Sequence, residues 1–359
     1  MKLSITTALV ALAAISSTCV TAHPSPITLE TRAPPPDTIN INVKNLYPED
    51  CIFDKARNLF YQSNLWKGRV SVWNVATRSN YNLLIPGVSS SGDGDQQMAG
   101  LSINSAGDKL FAVAKNSAAF RFGSGQRPEG AESFHRFNLP ASSSSSPVWS
   151  VSLSGVKSAF RSRTGTLPFG PVASAQDNAD NSYVVFALGM PAIARVSPDG
   201  KTITPWYSEK SNGSQRPGYT GVAFIPEDNM LVAFGGPRPL TAFDLSSPNP
   251  TGIPVRLTGA NFGSTDGSEK IHTVQIAGKS NLFAAKAPNT YRFQSSDRWR
   301  SATVRSATRD EFKTNSLTVV TEASFNGKTQ VYGGGAYFGE GAKGGRTTFP
   351  LYRIYGLLN

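Results

Sequence analysis

The chain has 359 residues, 39% of them hydrophobic and only 16% charged, which supplies a core and excludes a globally disordered polymer. A formal net charge of +11 favours contact with anionic glycans, lipid headgroups or cell-wall polymers, and makes no case for nucleic acid. No apolar run reaches the roughly 18 residues of a membrane-spanning helix, so no transmembrane anchor is expected.

Met1-Lys2, an apolar run Leu3–Ile15 and a polar stretch ending Val20-Thr21-Ala22 have the order of a secretory signal peptide, with cleavage expected after Ala22. Residues 23–37, with His23, Pro24, Pro26 and Pro34-Pro35-Pro36, read as a flexible leader. Cys19 leaves with the signal, so Cys51 stands alone and no internal disulfide can form; between Asp50 and Ile52 in a strand-like run it reads as a small core residue. Ile39, Ile41 and Val43 alternate with Asn40, Asn42 and Lys44 at strand period.

From residue 51 onward one pattern recurs: a short apolar strand, a polar turn and a second apolar strand. Its starting points fall at 51, 100, 172, 221, 272 and 321, at intervals of 49, 72, 49, 51 and 49 residues. The long interval carries insertions at Gly123–Glu132, Ser142–Ser146 and Gly155–Arg163. Further strand candidates, such as Val70–Val75 and Tyr81–Ile85, bring each unit to four strands, the signature of propeller blades. The sixth unit is one strand short, holding only Val331–Gly335 and Leu351–Leu357 after its first. The segment at Ile39–Val43 completes it and removes an open sheet edge. The expectation is an all-β, six-bladed β-propeller over residues 38–359, closed by pairing the N-terminal strand with the last blade.

Familiar catalytic signatures are missing from the sequence. His23, His135 and His272 are far apart and none lies in HExxH; there is no G-x-S-x-G elbow, no cysteine pair for zinc and no Walker loop. Glycines at 235–236 and 333–335 read as crowded strand positions, and Gly92–Gln97 as a turn whose spacing is not that of a calcium loop. Asn212-Gly213-Ser214 is a glycosylation sequon. Ligand sites in propellers form at the channel mouth, and the residues leading into the innermost strands are Glu49, Asp50, Gln97, Phe169, Arg216, Tyr219, Glu269, Lys270 and Asn315. They mix carboxylates, cations, amides and aromatics, as a ligand pocket requires. Residues 286–313 are basic and interleaved with aromatics, and read chiefly as solvated outer strands of the fifth blade.

Several segments, among them Phe60–Leu65, Gly92–Met98, Ser174–Asp177, Phe186–Val196, Gln215–Tyr219 and Ala233–Arg238, closely resemble the secreted propeller allergen family of the skin yeast Malassezia. A related protein of fungal trichothecene toxin clusters shares the family. The resemblance covers essentially the whole chain after the signal. It implies a six-bladed propeller at the fungal surface or outside the cell, with a phosphoinositide-type ligand, allergenicity that would make host IgE a partner, a role in host colonisation, and no established enzymatic activity.

Three readings follow. The leading one is a binding module for an anionic lipid headgroup or phosphorylated polyol, with no cofactor: Arg216 and Lys270 would neutralise phosphate, Tyr219 and Phe169 wall the site, and Gln97 and Asn315 orient hydroxyls. A second is a calcium-dependent lactonase or esterase of the gluconolactonase-like type, its metal held by Glu49, Asp50, Glu269 and Asn315. In the third, outer basic strands hold cell-wall glycan.

Overall fold

The computed structural model describes residues 34–91, 95–120, 130–210, 216–341 and 343–357. The signal, most of the leader and the Asn212 sequon therefore lie outside the described residues, as do Gly92–Gly94 of the candidate calcium turn.

Strand β1 (Thr38–Ile41) precedes six blades. The first is β2 (Pro48–Asp54), β3 (Leu59–Asn64), β4 (Arg69–Asn74) and β5 (Asn80–Leu84); the second is β6 (Gln96–Ile103), β7 (Lys109–Asn116), β8 (Ser133–Asn138) and β9 (Trp149–Ser152). Helix α1 (Ser154–Thr164) leads to the third, β10 (Phe169–Gln176), β11 (Ser182–Leu188), β12 (Ala192–Val196) and β13 (Ile203–Ser208). The fourth is β14 (Tyr219–Ile225), β15 (Met230–Gly235), β16 (Leu240–Asp244) and β17 (Ile253–Pro254). The fifth has β18 (Arg256–Gly259), β19 (Ser268–Ile276), β20 (Lys279–Lys286), β21 (Asn289–Gln294) and β22 (Ser301–Thr308), with β18 lying parallel to β22 as an extra outer strand. The sixth is β23 (Leu317–Phe325), β24 (Lys328–Gly335) and β25 (Phe349–Arg353). Strand β1 pairs antiparallel with β25, Ile39 opposite Leu351 and Ile41 opposite Phe349, so the expected closure is present. The last strand begins and ends earlier than Leu351–Leu357, and the inserted Gly155–Arg163 segment is helical.

Each start point of the sequence repeat falls inside an innermost strand: β2, β6, β10, β14, β19 or β23. These strands follow one another around the channel, with β23 returning to β2. Alternation along each strand sends side chains to the two faces of its blade, so the core divides into six apolar layers, one in each gap between blades. Cys51 lies in the layer between the sixth and first blades, beside Phe53 and Val319, as a fully buried thiol.

Of the candidate glycines, Gly235 and Gly333–Gly335 are crowded positions, though on second strands rather than at the axis. A β-carbon on Gly335 would fall 1.9 Å from the carbonyl oxygen of Asn315, which no side chain tolerates. At the axis itself, Gly100 on β6 lets the inner strands close in, since a β-carbon there would lie 2.3 Å from the Val172 carbonyl oxygen.

Candidate functional site

Every innermost strand carries a register shift against its neighbour near its N-terminal end: between Pro48 and Cys51, Met98 and Leu101, Pro171 and Ala173, Tyr219 and Gly221, Ser268 and Ile271, and Leu317 and Val319. A bulge re-aims the side chains around it. Two of these bulges hold Glu49-Asp50 and Glu269-Lys270, and they bring opposite charges together near the N-terminal ends of the inner strands.

The result is a polar plug. Lys115, from β7, places its Nζ 2.6 Å from Glu49 Oε1, and Lys270 Nζ lies 3.4 Å from the same oxygen while donating to the Val172 carbonyl at 2.9 Å. Asp50 Oδ1 meets His272 Nε2 at 2.8 Å, and the backbone N–H groups of Cys51 and Leu101 donate to Asp50 Oδ1 and Oδ2, each at 2.8 Å. These bonds join the first blade to the second and fifth, and the fifth to the third. Burial alone would raise Asp50, but His272, Lys270 and the Leu101 N–H outweigh it and hold the carboxyl below its usual range. Burial lowers Lys115, a shift that the Glu49 carboxylate offsets only in part. Glu269, beside them, is pushed up to about 7 by burial and by Glu49, with Lys270 acting in opposition.

Beyond the plug, toward the C-terminal ends of the inner strands, the channel widens into a cavity of about 670 Å³. Asp50, Lys270 and His272 contribute to its wall at the plug, and Glu322, Ser174 and Gln176 line it further out. Ser102 and Ser174 hydroxyls bridge neighbouring inner strands at 2.8 Å. Burial raises Glu322, with Lys55 and His272 acting against the shift. A cavity of this size with a few convergent polar groups suits a small-molecule ligand.

The residues expected from sequence divide accordingly. Glu49, Asp50, Glu269 and Lys270 come together, and of these Asp50 and Lys270 also line the cavity. Gln97 is buried in register with Lys115, beside the plug. Phe169 is buried opposite Leu188, and the next residue, Gly170, donates its N–H to Glu132, itself paired with Lys157 of α1 at 2.8 Å. Tyr219 packs between the third and fourth blades, its ring edge-on to Phe243. Arg216 lies 3.8 Å from Glu209, which also binds Arg238 at 3.1 Å, and Asn315 is buried beside Gly335. None of Gln97, Phe169, Arg216, Tyr219 and Asn315 lines the cavity.

Lys115, His272 and Glu322 were not singled out from sequence. Lys115 comes from a second strand, where nothing marks it as axial. The other two carry a usable signal, because His272 opens the fifth repeat and Glu322 is the second residue of the sixth.

Among the described residues no group of three or more His, Cys, Asp or Glu is placed to hold a metal ion. The proposed calcium set does not fit a divalent cation: Glu49 is taken by two lysines and Asp50 by His272, so an added cation would meet like charge. In the basic 286–313 segment, Arg300 and Arg305 are exposed, whereas Arg292 is buried with its guanidinium on Asn281 and the Leu357 carbonyl.

Fold and cavity together define a six-bladed propeller with a closed ring and a central channel plugged near the N-terminal ends of its inner strands. Residues 23–317 match the family described as Mal s 1 allergenic protein-like, and the chain belongs to that family. It is 50% identical over 321 residues to the major allergen Mal f 1 of Malassezia furfur, covering 89% of this chain and 91% of that one. The crystal structure of the major Malassezia sympodialis allergen Mala s 1 matches with a TM-score of 0.87 at 48% identity, over 91% of this chain and 98% of that one. A luciferin-regenerating enzyme, at 11% identity and a TM-score of 0.54 over 89% and 96% of the two chains, shares the fold alone.

Proposed function

We propose that this is an exported, cell-surface or wall-associated propeller that binds a phosphorylated polyol, such as an anionic lipid headgroup, in the central cavity. The observation that carries the reading is the cavity itself: a 670 Å³ space with Lys270 and His272 at the plug, hydroxyl and amide groups on its wall and Lys55 among its lining. Lys270 and Lys55 neutralise phosphate, and the hydroxyls and amides pair with those of a polyol. Among the described residues no helix is long and apolar enough to cross a membrane, so association with lipid would run through the headgroup. Recognition by host IgE and a contribution to colonisation follow from kinship with the Malassezia allergens. Outer basic positions such as Arg300 and Arg305 would add affinity for wall glycan.

Flotation with vesicles of phosphatidylcholine alone, or doped with phosphatidylinositol phosphates, tests the reading, with free inositol phosphate as competitor. Selective flotation with doped vesicles that free inositol phosphate abolishes supports it. Flotation no stronger than with phosphatidylcholine alone overturns it.

A further inference from the structure

The cavity wall at the plug also presents acid–base chemistry that ligand binding leaves unused. His272 Nε2 is held by Asp50, whose carboxylate is itself fixed by the Cys51 and Leu101 N–H groups. The ring is therefore oriented by a buried carboxylate that two backbone N–H groups anchor. Among the hydrogen bonds of the described residues Nδ1 has no partner, and the His272 side chain, 17% exposed, lines the cavity. Glu322 faces it from the next blade. Val320, two residues before Glu322, and Val274, two after His272, meet in the layer between the fifth and sixth blades, and strand alternation puts Glu322 and His272 on those same faces.

We propose that His272 and Glu322 form a metal-independent acid–base pair that hydrolyses carboxylic esters or lactones of polyhydroxyl compounds within the cavity. This goes beyond the ligand-binding reading and does not depend on a phosphate group. Water attacks the acyl carbon while its proton passes to His272 Nδ1, forming the new C–O bond. Collapse breaks the acyl–alkoxide bond, and the leaving oxygen takes the proton of Glu322. The imidazolium proton returns to the Glu322 carboxylate through water, so one water is consumed and one acid and one alcohol are released. Burial keeps Glu322 protonated to higher pH than an exposed carboxyl, which suits it as the donor. A neutral acyl group adds no charge beside the paired Asp50 and His272 at the plug. The hydroxyls of Ser102 and Ser174 and the amides of Gln176 and Gln275 match a polyhydroxyl partner. Asp50 is a positioning residue.

The test is hydrolysis of 4-nitrophenyl acetate and of glycerol triacetate by the chain starting at His23, with excess EDTA, from pH 5 to 8. The expected result is saturable turnover that EDTA does not reduce and that falls by about 10²–10⁴-fold in Glu322→Gln and in His272→Gln. Asp50→Asn should lower kcat with little change in KM and move the acid limb of the pH profile. The charges that shape that limb are Asp50 from β2, Glu322 from β23, Lys270 on the same strand as His272, and Lys55. Because His272→Gln removes a partner from buried Asp50, Glu322→Gln carries the test alone if the former protein does not fold. Retained inositol phosphate binding by Glu322→Gln would separate this proposal from the ligand-binding reading. Absence of turnover of both esters, loss of turnover in EDTA, or full turnover by Glu322→Gln overturns it.

Discussion

Lys115 Nζ lies 2.6 Å from Glu49 Oε1, joining the second strand of the second blade to the innermost strand of the first through a pair buried on both sides. Breaking such a pair from one side leaves an uncompensated buried charge. Lys115→Met should therefore lower the free energy of unfolding by about 3–5 kcal/mol. In Lys115→Met/Glu49→Gln the carboxylate is gone as well, so the double variant should lose less than the sum of the single losses. Urea melts of the three variants measure the coupling, and strict additivity would show that the plug is not a unit.

Glu269 gives the plug a pH dependence with a definite sign. Its folded value of about 7 lies above that of an exposed glutamate, so the folded state holds the proton more tightly. The contribution to stability is full below the unfolded value and is lost as pH rises through 7, on the order of 3 kcal/mol at most and less with solvent screening at this partly exposed position. Glu269→Gln cannot ionise, so its melting temperature relative to the parent should rise between pH 5 and pH 8. Equal differences at the two pH values would contradict this.

Much of the ring was legible because it rests on local signals. A turn follows each inner strand, so the repeat shows itself within about fifteen residues, and Ile39, Ile41 and Val43 announce their own half-buried strand. The site was less legible because its contacts are not local. Asp50 and His272 are 222 residues apart, and they meet only because bulges in different blades turn both toward the axis. Residues leading into the inner strands look like an open mouth in sequence. In the structure Glu49 and Asp50 are consumed by the plug, and the space lies beyond it, along the C-terminal parts of the inner strands as far as the turns that follow them. Strand β18 escaped notice for a further reason: four residues, Arg-Leu-Thr-Gly, carry no periodicity, and their parallel pairing with β22 depends on a strand more than forty residues away.

Cys51 is fully buried between the sixth and first blades, where burial and the neighbouring Asp50 raise its thiol well above the ordinary value. A thiol that is neither ionised nor accessible does not attack disulfide reagents. The chain starting at His23 should therefore release almost no thionitrobenzoate from Ellman's reagent when native, and one equivalent in guanidinium. Rapid release from the native protein would mean that the sixth-to-first gap opens easily.

That gap is also where the ring closes, which makes the N-terminal strand the most consequential segment for stability. Ile39, Ile41, Val43 and Leu46 are all buried there against Phe349 and Leu351. Each such side chain contributes about 1.5–3 kcal/mol on burial, so together they rival the roughly 5–15 kcal/mol net stability of a domain. The strand is clamped at its start as well: both Asp37 oxygens take the Arg309 guanidinium at 3.0 and 3.1 Å, and the Pro36 carbonyl accepts the Tyr332 hydroxyl at 2.9 Å. Bonding to the sixth blade thus begins near Pro35, inside the leader drawn from sequence. A chain starting at Pro35 should melt within about one degree of the chain starting at His23, since it keeps every one of these contacts. A chain starting at Tyr47 would expose the apolar edge of β25, a template for pairing with other chains, and should aggregate or lose its cooperative transition. Thermal melts and light scattering of the two truncations decide the matter: if the chain starting at Tyr47 stays monomeric and melts like the longer one, the β1–β25 pairing does not hold the ring shut.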